Sequence, residues 1–106
     1  MGEHNAEIIE DFYNELHALG AVKSSEQFSI EWLGMQNSYL RCLRARNKKP
    51  SVKAWANLAV RLKATSQTLA SNEKPKIART GKRFAKMADR CIDEILAGSR
   101  QDINAH

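Results

Sequence analysis

The stretch Gly34–Ser51, GMQNSYLRCLRARNKKPS, holds five cations, Arg41, Arg44, Arg46, Lys48 and Lys49, and no carboxylate. Guanidinium and ammonium groups are donors with no acceptor capacity, so their chemistry is charge-assisted binding to anionic oxygens. Beside them stand Gln36, Asn37 and Ser38, whose side chains both donate and accept, and an apolar edge made by Met35, Leu40 and Leu43. The wider chain has the same bias. Residues 1–31 carry seven acids and one Lys, whereas 32–72 carry eight Lys/Arg and no Asp or Glu. A net charge of +5 therefore hides an acidic head and a wholly basic middle. That asymmetry points to a polyanionic partner for the middle.

Other chemistries have little to build on. Cys42 and Cys91 stand far apart and lack metal-site spacing, and His4, His17 and His106 are scattered. No metal site or cofactor is expected. There is no glycine-rich phosphate loop and no nucleophile–base set, so the chain is not read as an enzyme. At 106 residues it is expected to be one domain. No apolar run reaches the roughly 20 residues that span a bilayer. The acidic start MGEHNAEIIEDF lacks a signal peptide's basic region, and Ala6 stands where a myristoylation motif needs Ser or Thr. A cytoplasmic location is the default expectation, with no membrane partner.

Five helices are predicted. In NAEIIEDFYNELHALG, the residues Ile8, Ile9, Phe12, Tyr13, Leu16 and Leu19 follow helical spacing, between a cap at Asn5 and a stop at Gly20. Ser24 with Gln27 three residues later reads as a capping box, opening a helix that buries Phe28, Trp32 and Leu33. After Gly34, QNSYLRCLRARN forms a third helix with Leu40 and Leu43 on one side and Asn37, Ser38, Arg41, Cys42 and Ala45 on the other. Asn47 and Pro50 end it. Ser51 caps the fourth, with an apolar stripe of Val52, Trp55, Leu58, Ala59 and Leu62. Trp32 and Trp55 fall on apolar faces and are read as core rather than as stacking platforms. The last helix runs from Pro75 to Ala97, stopped by Gly98, with 98–106 a frayed tail.

Two helices joined by a tight Gly turn, the second with a basic outer face, describe a helix-turn-helix. LGMQNSYLRCLRARNKKPSVKAWANLA resembles the DNA-binding core of the phage-repressor (Cro, Xre-like) superfamily. Leu33-Gly34-Met35 matches the turn, Leu40 and Leu43 the buried recognition-helix positions, and Pro50-Ser51-Val52, Trp55 and Leu58-Ala59 the following helix, all without a gap. The resemblance covers about residues 24–63. The chain departs from the pattern in the first helix of the motif. Counting back from Gly34, the pattern's small residue falls at Ile30, whose branched side chain would crowd the helix crossing, and Ser29 replaces a leucine.

The resemblance implies an all-α, repressor-like domain over 1–71, with the motif at about 24–47 and a supporting helix at 51–70. It also implies double-stranded DNA as partner. The recognition helix, about Asn37–Arg46, would enter the major groove, which admits one α-helix. Gln36, Asn37, Ser38 and Arg41 occupy positions of base-edge readers, while Arg44, Arg46, Lys48 and Lys49 suit phosphate contact. An exposed Cys42 would be a thiol beside arginines, against a plainer role as a small filler.

In the last helix Ile77, Gly81, Phe84, Ala88, Cys91 and Ile95 make a heptad seam. Arg79 with Arg83, and Lys82 with Lys86, are like-charge pairs at i,i+4, and Asp89, Asp93 and Glu94 lie toward the C-terminal end, against the dipole. An antiparallel second copy would pair these halves, which predicts a homodimer through the seam; packing of the seam on the first helix within one chain is the alternative. The functional expectation is a sequence-specific transcriptional regulator. The alternative is a helix-turn-helix-derived module that binds an acidic protein without binding DNA.

Overall fold

The computed structural model describes residues 6–104. Every regular element among them is helical: α1 (Glu7–Ala18), α2 (Ser25–Gln27) running straight into a π-helical turn (Phe28–Trp32), α3 (Tyr39–Arg46), α4 (Val52–Ala70) and α5 (Pro75–Asn104). The protein is all-α with five helices, as the periodicities predict. Asn5, the expected cap of α1, lies outside the described residues; Ala6 takes the cap position with no side-chain bond.

The chain forms two compact units that meet between Ala54 and Trp55, inside α4. The sequence places the boundary at the 71–74 connector instead. The difference comes from α4 itself, whose long C-terminal part packs with α5.

The first unit buries Ile9, Phe12 and Leu16 of α1, with Val22, Phe28, Trp32, Leu33, Leu40 and Leu43. Ile8, counted with the apolar face of α1, is 38% exposed. Ser24 caps the helix as expected, its Oγ accepting from the Gln27 N–H at 3.1 Å, while Gln27 Oε1 reaches back one residue past the cap to the Lys23 N–H at 2.7 Å. Past Phe28 the helix widens, and the Leu33 N–H donates to the Phe28 carbonyl five residues back at 3.1 Å. A π-turn takes up one residue more than an α-turn. The wider turn changes which residues of this helix face inward. Ser29 is fully buried while Ile30 is 53% exposed. Counting at the α-helical period misplaces both by one position, so the small residue does face inward. Gly34, at φ +65°, then turns the chain in the left-handed conformation that glycine adopts without penalty. The Met35 N–H closes the turn onto the Ser29 carbonyl at 2.9 Å.

Ser29 also joins the helices on either side of that turn. Its hydroxyl donates to the Ser25 carbonyl at 2.8 Å and accepts from the Leu40 N–H at 3.1 Å. Leu40 lies in the first turn of α3, where backbone N–H groups have no partner within the helix.

In the second unit α4 and α5 pack closely. Gly81 is the point of nearest approach: a Cβ there would lie 2.9 Å from Ala70 N, 3.0 Å from Ser66 O and 3.1 Å from Leu69 Cβ. Cys91 is fully buried and donates its thiol to the Trp55 carbonyl at 3.0 Å. Leu58 and Leu62 are also fully buried. Val52, counted in the stripe of α4, is 53% exposed, and Ala54 is buried in its place. Trp32 and Trp55 are both core residues. α5 continues to Asn104, so Gly98 does not end it and no frayed tail begins there. A glycine inside a helix costs only about 1 kcal/mol relative to alanine, which the helical residues around it outweigh.

Two stability measurements check this packing. Ser29→Ala strands the buried Leu40 N–H and should lower the urea-unfolding free energy by about 1–3 kcal/mol. Ile30→Ala, on the exposed side of the same turn, should change it by no more than about 0.5 kcal/mol; the reverse order would restore the α-helical register. Gly81→Ala gains about 1 kcal/mol of helix propensity but forces a methyl into backbone, at about 1–3 kcal/mol. A lower melting temperature is the expected net result.

Candidate functional site

α3 is held on three sides, and what remains exposed is the candidate site. Its inner edge is Leu40 and Leu43, both buried. At its start, the Tyr39 hydroxyl accepts from the Ser51 N–H at 2.9 Å and lies 3.4 Å from Ser51 Oγ. Tyr39 is thus a half-buried tie, not an outward-facing group. Ser51 Oγ in turn caps α4 by accepting from the Ala54 N–H at 3.1 Å. At the end of α3, Asn47 adopts the left-handed conformation, φ +47° and ψ +49°, and the Lys48 N–H donates to the Leu43 carbonyl at 3.1 Å. Asparagine tolerates this geometry better than most residues, which is why the pattern could place the stop here.

Arg44, expected on phosphate, is engaged elsewhere. Its guanidinium forms a two-pronged pair with Glu10 of α1, Nε to Oε2 and Nη2 to Oε1, the second at 2.9 Å. Its charge also lies 5.7 Å from the centroid of the Tyr13 ring. The Glu10 hydrogen bond raises the Arg44 pKa above its ordinary value, against a smaller opposing effect of burial. An ion pair this open to water adds about 1 kcal/mol at most. What it fixes is the seating of α3 on α1, so Arg44 is a positioning residue. Helical periodicity had placed Arg44 toward a flank, but nothing in it revealed that Glu10, 34 residues earlier, would meet it.

Arg41 keeps a looser partner, Glu26, at 3.5 Å, with the two side chains 64% and 47% exposed. Cys42, Ala45, Arg46, Lys48 and Lys49 are exposed. Gln36 and Asn37 are exposed too, but they precede the helix, which begins at Tyr39 rather than at Gln36. Asn37 and Ser38 sit in a turn closed by the Tyr39 N–H on the Gln36 carbonyl at 3.0 Å. The face therefore presents two amides from a turn, one arginine from the first exposed position of α3, and a basic run from its end. No carboxylate lies in that segment. Such a surface can offer hydrogen bonds and positive charge to an anionic partner.

The seam of α5 is placed differently from expectation. Phe84, Ala88 and Cys91 are buried within the single chain, with Met87, which the heptad count omits. Gly81 and Cys91 meet α4. Ile77 and Ile95 are half-buried. Within the chain the seam thus meets α4 at Gly81 and at Cys91. The reason is Gly81, whose missing side chain lets the backbones of α4 and α5 meet.

Among the described residues no group of three or more His, Cys, Asp or Glu could hold a metal ion. No described helix is long and apolar enough to cross a membrane. An open groove of about 310 Å³ runs along α4, lined by Arg61, Ala64, Thr65, Thr68 and Leu69; it gathers no pair of titratable groups.

A family model matches residues 9–104, nearly the whole chain. The chain belongs to the DUF6626 family, a family of unknown function. No curated protein and no solved structure matches it. For this DUF6626 chain, function is therefore argued from its own residues.

The two thiols should behave differently. Burial first, and the Glu94 carboxylate second, push the Cys91 thiol up to about 12, against a backbone hydrogen bond from Ala59. Cys42 is exposed. At pH 8 the native chain should react with an aromatic disulfide reagent at one thiol, and Cys42→Ser should abolish that reaction. Reaction at both thiols before unfolding would contradict the buried seam.

Proposed function

We propose that this protein binds double-stranded DNA through a helix-turn-helix formed by Ser24–Asn47 and acts as a sequence-specific transcriptional regulator. The observation that carries this reading is the exposed outer side of α3, in a segment that contributes cations and no carboxylate of its own, held by ties on its inner sides. The Ser29–Leu40 bond, the Tyr39–Ser51 tie and the Arg44–Glu10 pair all lie away from Arg41, Cys42 and Ala45. A reading helix needs such bracing, because base recognition requires donors fixed relative to the groove. In this reading Gln36 and Asn37 reach base edges from the turn, and Arg41 does so from the helix after exchanging Glu26 for guanine. Arg46, Lys48 and Lys49 contact phosphates. Arg44 orients the helix without touching DNA.

A second reading has one observation in its favour. Two of the three arginines on α3 are already paired with carboxylates of the same chain, Arg44 with Glu10 and Arg41 with Glu26. Acidic groups therefore fit this face, and an acidic protein segment could replace Glu26. The protein would then be an adaptor or anti-activator without DNA affinity.

Fluorescence-anisotropy titration against fragments of the host genome, across a salt series, separates the two. On the preferred fragment, Arg41→Ala should cost about 1–3 kcal/mol and flatten the preference between fragments. Lys48→Ala should weaken all fragments alike and lower the salt slope by about 1. Arg44→Ala should lower the melting temperature and leave the slope unchanged. No binding to any fragment at low salt would sink the DNA reading and favour the adaptor.

A further inference from the structure

α5 carries a second basic surface that α3 does not explain. Lys76, Arg79, Lys82, Arg83, Lys86 and Arg90 are all exposed. At about 100° per residue they fall within an arc of about 120°, on the side away from Gly81, Phe84, Ala88 and Cys91. From Lys74 to Ala88 the chain has no carboxylate. With a rise of 1.5 Å per residue the stripe is about 21 Å long. Asp89 and Asp93 border only its C-terminal end.

This arrangement works against the helix that bears it. Like charges at i,i+4 repel, and cations in the first turns oppose the positive end of the helix dipole. The contacts of Gly81 and Cys91 with α4 are made on the opposite side of the helix. We propose that this outer face of α5 is a second docking surface, independent of sequence, for the phosphate backbone of a nucleic acid. Lys76, Arg79, Lys82 and Lys86 carry it, with Arg83 and Arg90 on the same stripe.

The form of the surface selects the partner. A membrane-lying helix inserts an apolar face beside its basic one, but here the large apolar residues within the stripe, Phe84 and Met87, are buried in the chain, and the exposed Ile92 and Leu96 lie beyond its C-terminal end. A protein partner gains its affinity from apolar or aromatic anchors at the centre of an interface, and from Lys76 to Arg90 the other exposed residues are only Ala85 and Asp89. A regular line of charge without anchors matches a regular line of phosphates, which position a protein without specifying sequence. The surface lies in the second unit, so this inference does not rest on the reading of α3.

The test uses the intact chain and a fluorescein-labelled duplex of about 20 base pairs of mixed sequence, with salt varied from about 50 to about 200 mM. The variant Lys76→Gln, Arg79→Gln, Lys82→Gln, Lys86→Gln keeps helix propensity, because glutamine and lysine are close. At about 0.9 per phosphate it should reduce the salt slope by about 3–4, and the loss of affinity across that range should shrink roughly 100-fold. The change should be the same on any duplex sequence. The pair Lys82→Gln, Lys86→Gln should give about half the slope change, and it decides the matter if the fourfold variant fails to fold by circular dichroism. An unchanged slope in a folded variant would overturn the proposal. So would binding to phosphatidylserine-containing vesicles without binding to the duplex, or a variant that turns a dimer into a monomer at constant slope. Duplex binding that depends on α5 but shows no preference between fragments would sink the α3 reading alone.

Discussion

The first unit depends on one buried hydroxyl. Ser29 Oγ is the buried side-chain atom that ties the Ser24–Trp32 helix to the first turn of α3, and it both donates and accepts in doing so. A buried N–H without a partner is expensive, so the position of Leu40 is tied to the position of Ser29. That in turn depends on the π-turn. Without the extra residue between Phe28 and Leu33, Ile30 would rotate inward and its branched side chain would hold the two helices apart. The wide turn, the small polar residue and the left-handed Gly34 act together to set one helix close against the next. No buried side-chain nitrogen or oxygen among the described residues is left without a partner, consistent with a crossing resolved by hydrogen bonding as much as by apolar fit.

Around that crossing the charges divide by task. Arg44 is drawn down to Glu10 and the Tyr13 ring, and becomes part of the frame. Arg41 holds Glu26 loosely at the surface, where water and competing anions reach it. Arg46, which ends α3, and Lys48 and Lys49, which follow the left-handed turn at Asn47, are exposed. The acidic head of the chain thus does two things at once: Glu10 seats the basic helix and Glu26 screens part of it. In the second unit no such acid is built into the stretch from Lys74 to Ala88, so α5 keeps a continuous basic stripe along its outer side.

The five helices, the capping box at Ser24, the stop at Asn47 and the cap at Ser51 were all legible from residue types, because each rests on contacts within a few positions. The registers that failed share one cause. The α-helical period assigned Ile30 inward and Gln36 to α3, and a π-turn and a three-residue turn shifted both. The seam of α5 is legible as apolar, but its contact with α4 at Gly81 and Cys91 is not, because periodicity alone does not name the surface a stripe of small and apolar residues meets. Met87 was missed because the heptad count steps over it.

The chain by itself determined which residues are apolar and which are charged, and so the all-α class, the caps at Ser24 and Ser51, the stop at Asn47, the acid-free middle and the basic stripe of α5. These follow from local propensity and composition, which act through neighbours in sequence. Tertiary structure decided which arginine stays available and which becomes structural, which side of the 28–32 turn faces inward, and what covers the seam. Those outcomes depend on groups 11, 34 and 36 residues apart meeting in space, as in Leu40 with Ser29, Arg44 with Glu10 and Cys91 with Trp55. Distances of that kind are set by packing, and no local pattern encodes them.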